Sequence, residues 1–382
     1  MMRIVDLVVM GGGPAGAAAA ITAARRGLSV VVVDKAAFPR GKLCGGLLSG
    51  RTASQIAAVF GTAPPDAIVQ PQSDFIFSWN GKPFTGGTSP IGLHLTMRRE
   101  FDWWLLSQAE AAGAALHQGV RDADPGLEAG ILTLPGGEQI GWRALIGADG
   151  VNSAVARGLF GSAYDKATIG FCLEAEVPYA QSLRPRGAPL QIDFGGIRSG
   201  YTWSFPKAKT VTVGLGAIMS KVGDFKPAMA ALLALHAKDP GRVPVKGHFI
   251  PFGDFRKVPG RGNVILAGDA AGLVDPLTGE GIAYAIESGA LAAGSVADWL
   301  AGGKAGDLTG HYTAGLAGIH AALAASNHLA GVMHQRFVPA FIKRRLVSQE
   351  RVQRKFFAIL GGAAESTDLA KFNLARYLLL KR

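Results

Sequence analysis

The 382-residue sequence predicts an α/β chain: a parallel βαβ sheet interleaved with an antiparallel sheet, followed by C-terminal helices. Three observations predict this. A strand, a glycine-rich turn, a helix and a second strand follow one another over residues 4–34. Several β-type segments fill residues 167–219, and beyond residue 281 nearly everything carries a helical pattern.

The elements follow in order. Residues 4–10 (IVDLVVM) form a short apolar strand, and residues 14–26 (PAGAAAAITAARR) an alanine-rich helix ended by Gly27. Residues 29–34 (SVVVVD) are a β-branched strand, as expected for a parallel strand buried on both faces. A helix is expected over 98–112, a strand over 115–120, a hairpin over ILTLPGGEQI, and a strand running into a tight turn at RALIGADG, residues 143–150. TIGFCLEAEV, LQIDF, YTWSF and VTVGLGAI suggest the antiparallel sheet; residues 225–237 read as a helix and NVILAGDA (263–270) as a strand returning to the first sheet. The expected division is therefore discontinuous. Residues 1–70, 98–165 and 250–300 form a nucleotide domain, residues 71–97 and 166–249 a substrate domain, and residues 301–382 a helical region.

Composition excludes several classes. Hydrophobic residues make up 48% and charged residues 18%, which suits a globular chain rather than a disordered one. Cys44 and Cys172 are the two cysteines, and neither sits in a Cys-x-x-Cys pair, so neither a zinc site nor a disulfide framework is expected. Reduced thiols point to a cytoplasmic protein. The start MMRIVDLVVMGGGPAG is not read as a signal peptide, because Asp6 interrupts a short apolar run and glycines follow at once. No stretch approaches the roughly 18–20 apolar residues of a membrane span. His94, His117, His311, His320, His328 and His334 form no metal-spaced set, and no metal is expected.

The net charge of +11 is uneven: residues 336–382 carry 11 Lys/Arg against three acids. In that segment Val338, Ile342, Leu346, Phe356 and Leu360 fall near one helical face, with Lys343, Arg344, Arg351 and Arg354 elsewhere around it. Such a helix suits the surface of an anionic membrane, at its inner face, and equally suits packing on its own domain with a solvated basic side. No nucleic-acid module accompanies the charge, so nucleic acid is not an expected partner.

Gly11-Gly12-Gly13-Pro14-Ala15-Gly16 is a G-x-G-x-x-G between strand and helix. Gly11 permits the turn, Gly13 lets the backbone approach a pyrophosphate, Gly16 allows close helix–strand packing, and the helix start offers free N–H groups. Asp34 ends the second strand about 20 residues on, placed for a ribose 2′-OH. An acid there favours FAD or NAD over NADP. Two further Asp-in-glycine turns, LIGADGVNSAVAR with Asp149 and VILAGDAAGLVDPLTGEGIAYAIESG with Gly268 and Asp269, extend the pattern. Asp269 suits a ribitol hydroxyl, and Gly281-Ile282 opens a long helix whose amides suit a reduced, anionic flavin. FAD along its full length is the expected cofactor, in a Rossmann-type FAD-binding domain.

Together these motifs resemble the p-hydroxybenzoate hydroxylase-type FAD-dependent oxidoreductase superfamily. Within it, PRGKLCGGLLS (39–49) and YTWSFPK (201–207) are similar to the geranylgeranyl reductase family, which saturates isoprenoid double bonds. The resemblance implies FAD contacts at Ala15, Asp34, Cys44, Gly45, Arg98, Asp269, Gly281 and Ile282, and at Val120 through its backbone. Pro14, Lys35 and Arg40 complete the expected cofactor set. Arg98 precedes an Asp by four residues, and its neighbour Arg99 competes for the same role.

Cys44 lies between Lys42 and Gly45-Gly46 on a loop expected near the flavin ring. It is a candidate proton donor and equally a small thiol shaping the pocket. Tyr201, Trp203 and Phe205 alternate on one strand and share a face, fit either to line a tunnel for a long apolar substrate or to form an ordinary aromatic core. The expected reaction is hydride delivery from reduced flavin to a C=C bond of an apolar, isoprenoid substrate. There is no second G-x-G-x-x-G after a strand, so electrons would come from a transiently docked NAD(P)H or an external carrier. A flavin monooxygenase shares every FAD motif. A halogenase is a further alternative, weakened because Lys82 sits in a turn-like NGKP. A flavin-binding protein without turnover is the last.

Overall fold

The computed structural model describes residues 2–252, 254–334 and 349–360. Its first sheet is built on the Arg3–Met10 strand, which pairs in parallel with Val30–Asp34 on one side and Gln139–Gly147 on the other. Ala115–Gln118 extends the sheet beyond Val30–Asp34, and Val264–Leu266 extends it beyond Gln139–Gly147, both in parallel. These strands read as apolar runs because both faces are covered. Val5, Leu7, Val8, Val9 and Val30 to Val33 are all buried. The Pro14–Arg25 helix packs on the sheet through small residues, Ala17 to Ala20 being wholly inaccessible, and the Ile282–Ala301 helix crosses it closely. A Cβ on Gly289 would lie 2.1 Å from the Ala15 carbonyl oxygen, so the two helices touch backbone to backbone.

The second sheet joins Lys246–Ile250, Gly170–Pro178, Thr210–Ile218, Gly200–Pro206, Leu190–Asp193, Asp74–Trp79 and Lys82–Thr88 in that spatial order. It differs from the antiparallel sheet expected from the sequence at one pairing: Leu190–Asp193 runs parallel to Asp74–Trp79. The reason is topological. The 74–88 hairpin enters the sheet on a separate excursion of the chain, so its direction is not constrained by the meander that follows. The 170–178 strand alternates cleanly. Phe171, Leu173, Ala175 and Val177 pack towards the Lys226–Ala234 helix, while Cys172, Glu174 and Glu176 occupy the opposite face.

A small third sheet pairs Leu47–Leu48 and Val69–Pro71 with His94–Thr96. Residues 94–96 thus belong to neither large sheet. Past residue 301 the described helices are Leu308–Gly315, Ala317–His334 and Glu350–Leu360. Val338, Ile342, Leu346, Lys343 and Arg344 lie outside the described residues, as do the side chains of Phe356 and Leu360. The described part of that amphipathic segment packs on its own chain. Phe357 is 3% exposed, 4.7 Å from Phe75 and 6.3 Å from Phe77 between ring centroids, and Gln353 Nε2 donates to Thr85 Oγ1 at 2.9 Å. Among the described residues no helix is long and apolar enough to cross a membrane.

Candidate active site

The carboxyl ends of the parallel strands open into one cavity of about 770 Å³ that continues along the inner face of the second sheet. At its first end the 11–16 turn is shaped by backbone. Gly11 has φ +105°, and a Cβ there would lie 2.3 Å from the Ala148 carbonyl oxygen. A Cβ on Gly16 would lie 1.8 Å from the Gly11 oxygen, whereas one on Gly13 would meet only Arg40 Nη2, at 3.7 Å. Gly11 and Gly16 therefore close the turn against the sheet, and Gly13 leaves open space in front of the helix start. Asp34 accepts from Gly12 N at 2.7 Å and Ala36 N at 2.8 Å, which holds its carboxylate at the strand end.

Of the residues expected from sequence, Gly11, Gly13, Pro14, Ala15, Asp34, Lys35, Arg40, Cys44, Gly45, Arg98, Val120, Asp149, Asp269, Gly281, Ile282, Tyr201, Trp203 and Phe205 all line this cavity. Two stand behind its wall. Gly16 is a packing residue, and Gly268, expected among the cofactor contacts, has φ +59° with its missing side chain facing Ala15 Cβ at 3.0 Å. Gly268 lets the 268–271 turn meet two helices closely, at Ala15 and Ala285.

Asp102 joins the two arginines of the cradle. It is wholly buried, accepts from Arg98 Nε at 2.5 Å and Nη2 at 2.8 Å, and from Arg40 Nη1 at 2.7 Å. Burial opposes the Arg98 charge, but Asp102 and Cys44 beside it hold its pKa above the usual guanidinium value. Arg99 instead turns outward to the Pro39 carbonyl, so of the adjacent arginines it is Arg98 that lines the cavity. Asp149 is pushed up by burial, against hydrogen bonds from Ser153 Oγ at 2.5 Å and Ala154 N at 2.6 Å. Its carboxylate is thus spent on capping the Ala154–Phe160 helix and shaping the turn.

Cys44 sits where the two ends of the cavity meet. Its N–H donates to Glu174 Oε1 at 3.1 Å, and its Sγ accepts from Gly46 N at 3.4 Å. Lys42, also lining the cavity, is pushed down by burial, with Asp269 acting in the opposite direction.

The second end is aromatic. A Cβ at Gly214 would lie 2.4 Å from Trp203 Cζ2, so the indole lies against bare backbone of the neighbouring strand. Tyr201 OH donates to the Thr278 carbonyl at 2.8 Å, tying this sheet to the loop before Gly281.

Several cavity residues escaped sequence reasoning. Glu174 is pushed up to about 7 by burial, with Lys207 opposing. Glu280 is likewise pushed up to about 7 by burial, against hydrogen bonds from Ser49 and Thr52. His248 is pushed down to about 4, chiefly by burial, and Cys172 up to about 12 for the same reason. The signal for Glu174 was present in TIGFCLEAEV: it is an acid in register with Cys172 on the inward face.

A family model described as FAD dependent oxidoreductase matches residues 6–69. The chain is 30% identical over 318 residues to a geranylgeranyl diphosphate reductase of Rhodobacter capsulatus, covering 79% of this chain and 78% of that one. The chain belongs to the geranylgeranyl reductase family of FAD-dependent oxidoreductases. A menaquinone reductase of Mycolicibacterium smegmatis is 31% identical over 312 residues, 75% of each chain. Among solved structures, a geranylgeranyl bacteriochlorophyll reductase-like protein of Thermoplasma acidophilum superposes with TM-score 0.71 at 20% identity, over 94% of this chain and 100% of that one. The flavin-dependent brominase Bmp2 superposes with TM-score 0.73 at 19% identity, over 98% and 99%. At such identities these two show the fold alone. The protein is therefore an FAD-dependent enzyme, and the geometry fits the cofactor: the Gly13 opening before a helix start is a cradle that a side chain would fill.

Proposed function

We propose that this enzyme reduces a C=C bond of an apolar, isoprenoid substrate, drawing electrons from NAD(P)H or an external carrier. What carries the reading is the continuity of one cavity from the dinucleotide cradle to the aromatic face of the second sheet, with Cys44 and Gly45 at the junction. Relatives named for reducing menaquinone and geranylgeranyl diphosphate support reduction over oxygen insertion.

When bound, reduced FAD supplies the hydride. The chain's own residues do the rest. The amides before the 14–25 helix, with Arg98 and Arg40, would hold the pyrophosphate. Asp34 would bind the ribose and Asp269 the ribitol, while the start of the 282–301 helix favours negative charge at the far end. Trp203, Phe205 and Tyr201 exclude water from an apolar chain. Contact of the basic C-terminal segment with the inner face of an anionic membrane belongs to the same proposal, since such a substrate partitions into lipid.

The test is anaerobic reduction of the holoprotein followed by a mass screen of prenyl alkenes, geranylgeraniol and a menaquinone included. A gain of two hydrogens is expected. A gain of one oxygen on admitting air, with no saturated product, overturns the reading in favour of a monooxygenase.

A further inference from the structure

The cavity contains one acid whose surroundings make little use of its charge. Glu174 sits mid-strand, its side chain buried, on the face it shares with Cys172 and Glu176. Oε1 accepts a hydrogen bond from Cys44 N, while Oε2 is buried with no hydrogen-bond partner. Trp203 Nε1, in the same wall, is also unpartnered; it lies close enough to favour the ionised acid, but not in hydrogen-bonding geometry. Two positions on, Glu176 is provided for in full. Thr212 Oγ1 donates to it at 2.6 Å, Thr210 Oγ1 donates to its other oxygen, and Lys207 Nζ lies 3.5 Å away. Lys207 is itself buried, and its charge acts on both carboxyls. One ammonium beside two carboxyls neutralises one of them. A buried carboxylate lacking donors is costly, so the less supported partner is the one that keeps a proton.

We propose that Glu174 is a catalytic acid of this site, giving the proton that completes saturation of the alkene where Trp203 and Cys44 meet. The inference rests on the reductase reading above. In the balanced step the π bond of the substrate breaks. One carbon takes the hydride, the flavin being oxidised by two electrons. The other carbon takes the Glu174 proton, and the resulting carboxylate, beside Lys207, is reprotonated from solvent.

Burial places this acid near neutrality, where a general acid works best. The other groups facing it are Glu176 and Cys172 on its own strand, Lys207 on the 200–206 side, Cys44 and Lys42 on the loop, and, on the 246–250 strand, Lys246 directly opposite it and His248 opposite Cys172. His248 at about 4 and Cys172 at about 12 do not change charge around pH 7. Glu280 titrates in the same range, so the assignment needs the substitution.

The experiment uses FAD-loaded holoprotein and geranylgeraniol as probe. E174Q should keep FAD and probe affinity within about threefold, yet slow single-turnover saturation by on the order of 10²–10⁴, with partial recovery in E174D. Independently of turnover, infrared titration of the oxidised holoprotein should show a protonated-carboxyl band that disappears through about pH 7 and is missing in E174Q. Should E174Q not fold, the same band must shift in frequency in E174D. An E174Q enzyme as fast as wild type, or a wild type with no such band, overturns the acid while leaving the reductase reading intact. A wild type that saturates no prenyl alkene overturns that reading itself.

Discussion

The two ends of the cavity are made of different material. The nucleotide end is drawn mostly from backbone: a turn at 11–16, a helix start at 282, glycines that let backbone close on backbone and one, Gly13, that leaves space open. The aromatic end is drawn from side chains set against other segments, Glu174 of the 170–178 strand against the backbone of the Cys44 loop and Trp203 against the bare backbone of the next strand at Gly214. A backbone cradle is specified by local geometry and tolerates no Cβ where chain meets chain. A side-chain wall is specified by registry between strands and leaves its charges to be balanced by whatever neighbours the fold supplies.

The sharpest way to break this contrast is within the first turn. Gly16→Ala places a Cβ 1.8 Å from a carbonyl oxygen, so helix and strand must separate. Loss of FAD affinity beyond about a hundredfold and loss of stability by several kcal/mol are expected, read by flavin fluorescence titration and denaturant unfolding. Gly13→Ala meets only an arginine tip at 3.7 Å. It should leave apoprotein stability within about 1 kcal/mol while weakening FAD. Equal destabilisation by the two substitutions would mean that the open space before the helix is not a ligand cradle.

Next in size is Asp102. Its removal in Asp102→Ala leaves the buried Arg98 and the adjacent Arg40 without their shared carboxylate. A destabilisation of about 3–5 kcal/mol is expected by urea unfolding. A loss below about 1 kcal/mol would show that solvent or FAD phosphate, not Asp102, carries these charges.

The smallest effect belongs to the aromatic end and depends on pH. Glu174 has a folded pKa of about 7 against 4.5 in the unfolded chain. A raised carboxyl pKa contributes stability that is present below pH 4.5 and lost as pH rises through about 7. Glu174→Gln removes that loss, so its stability relative to wild type should rise between about pH 5 and 8, by up to about 3 kcal/mol. Glu280 is present in both proteins and cancels. A pH-independent difference would show that the carboxyl titrates normally.

This contrast also explains what the sequence makes legible. Gly11, Gly13, Gly16 and Asp34 are contiguous or a fixed helix apart, so spacing alone places them in one turn. Tyr201, Trp203 and Phe205 follow from strand alternation. Glu174 and Lys207 do not, because their significance lies in pairing across strands: Glu174 lies opposite Gly214, and Lys207 reaches Glu176 two residues further on. Gly268 shows the complementary case. Its motif suggests a ligand contact, and what pattern alone does not give is its packing against Ala15 and Ala285. The parallel pairing of 190–193 with 74–79 is likewise invisible to local pattern, since both directions give the same alternation.

That pairing has a consequence for anyone exchanging parts between relatives. The 190–193 strand takes its outer neighbour from a hairpin more than a hundred positions earlier, so the second sheet is not a contiguous cassette. A chimera that transplants only residues 170–250 would keep the donor's central strands but seat them against the host's 74–88 edge, with Phe75 and Phe77 still meeting the host's Phe357. The second sheet is therefore inherited as a pair of segments, and grafts should move both.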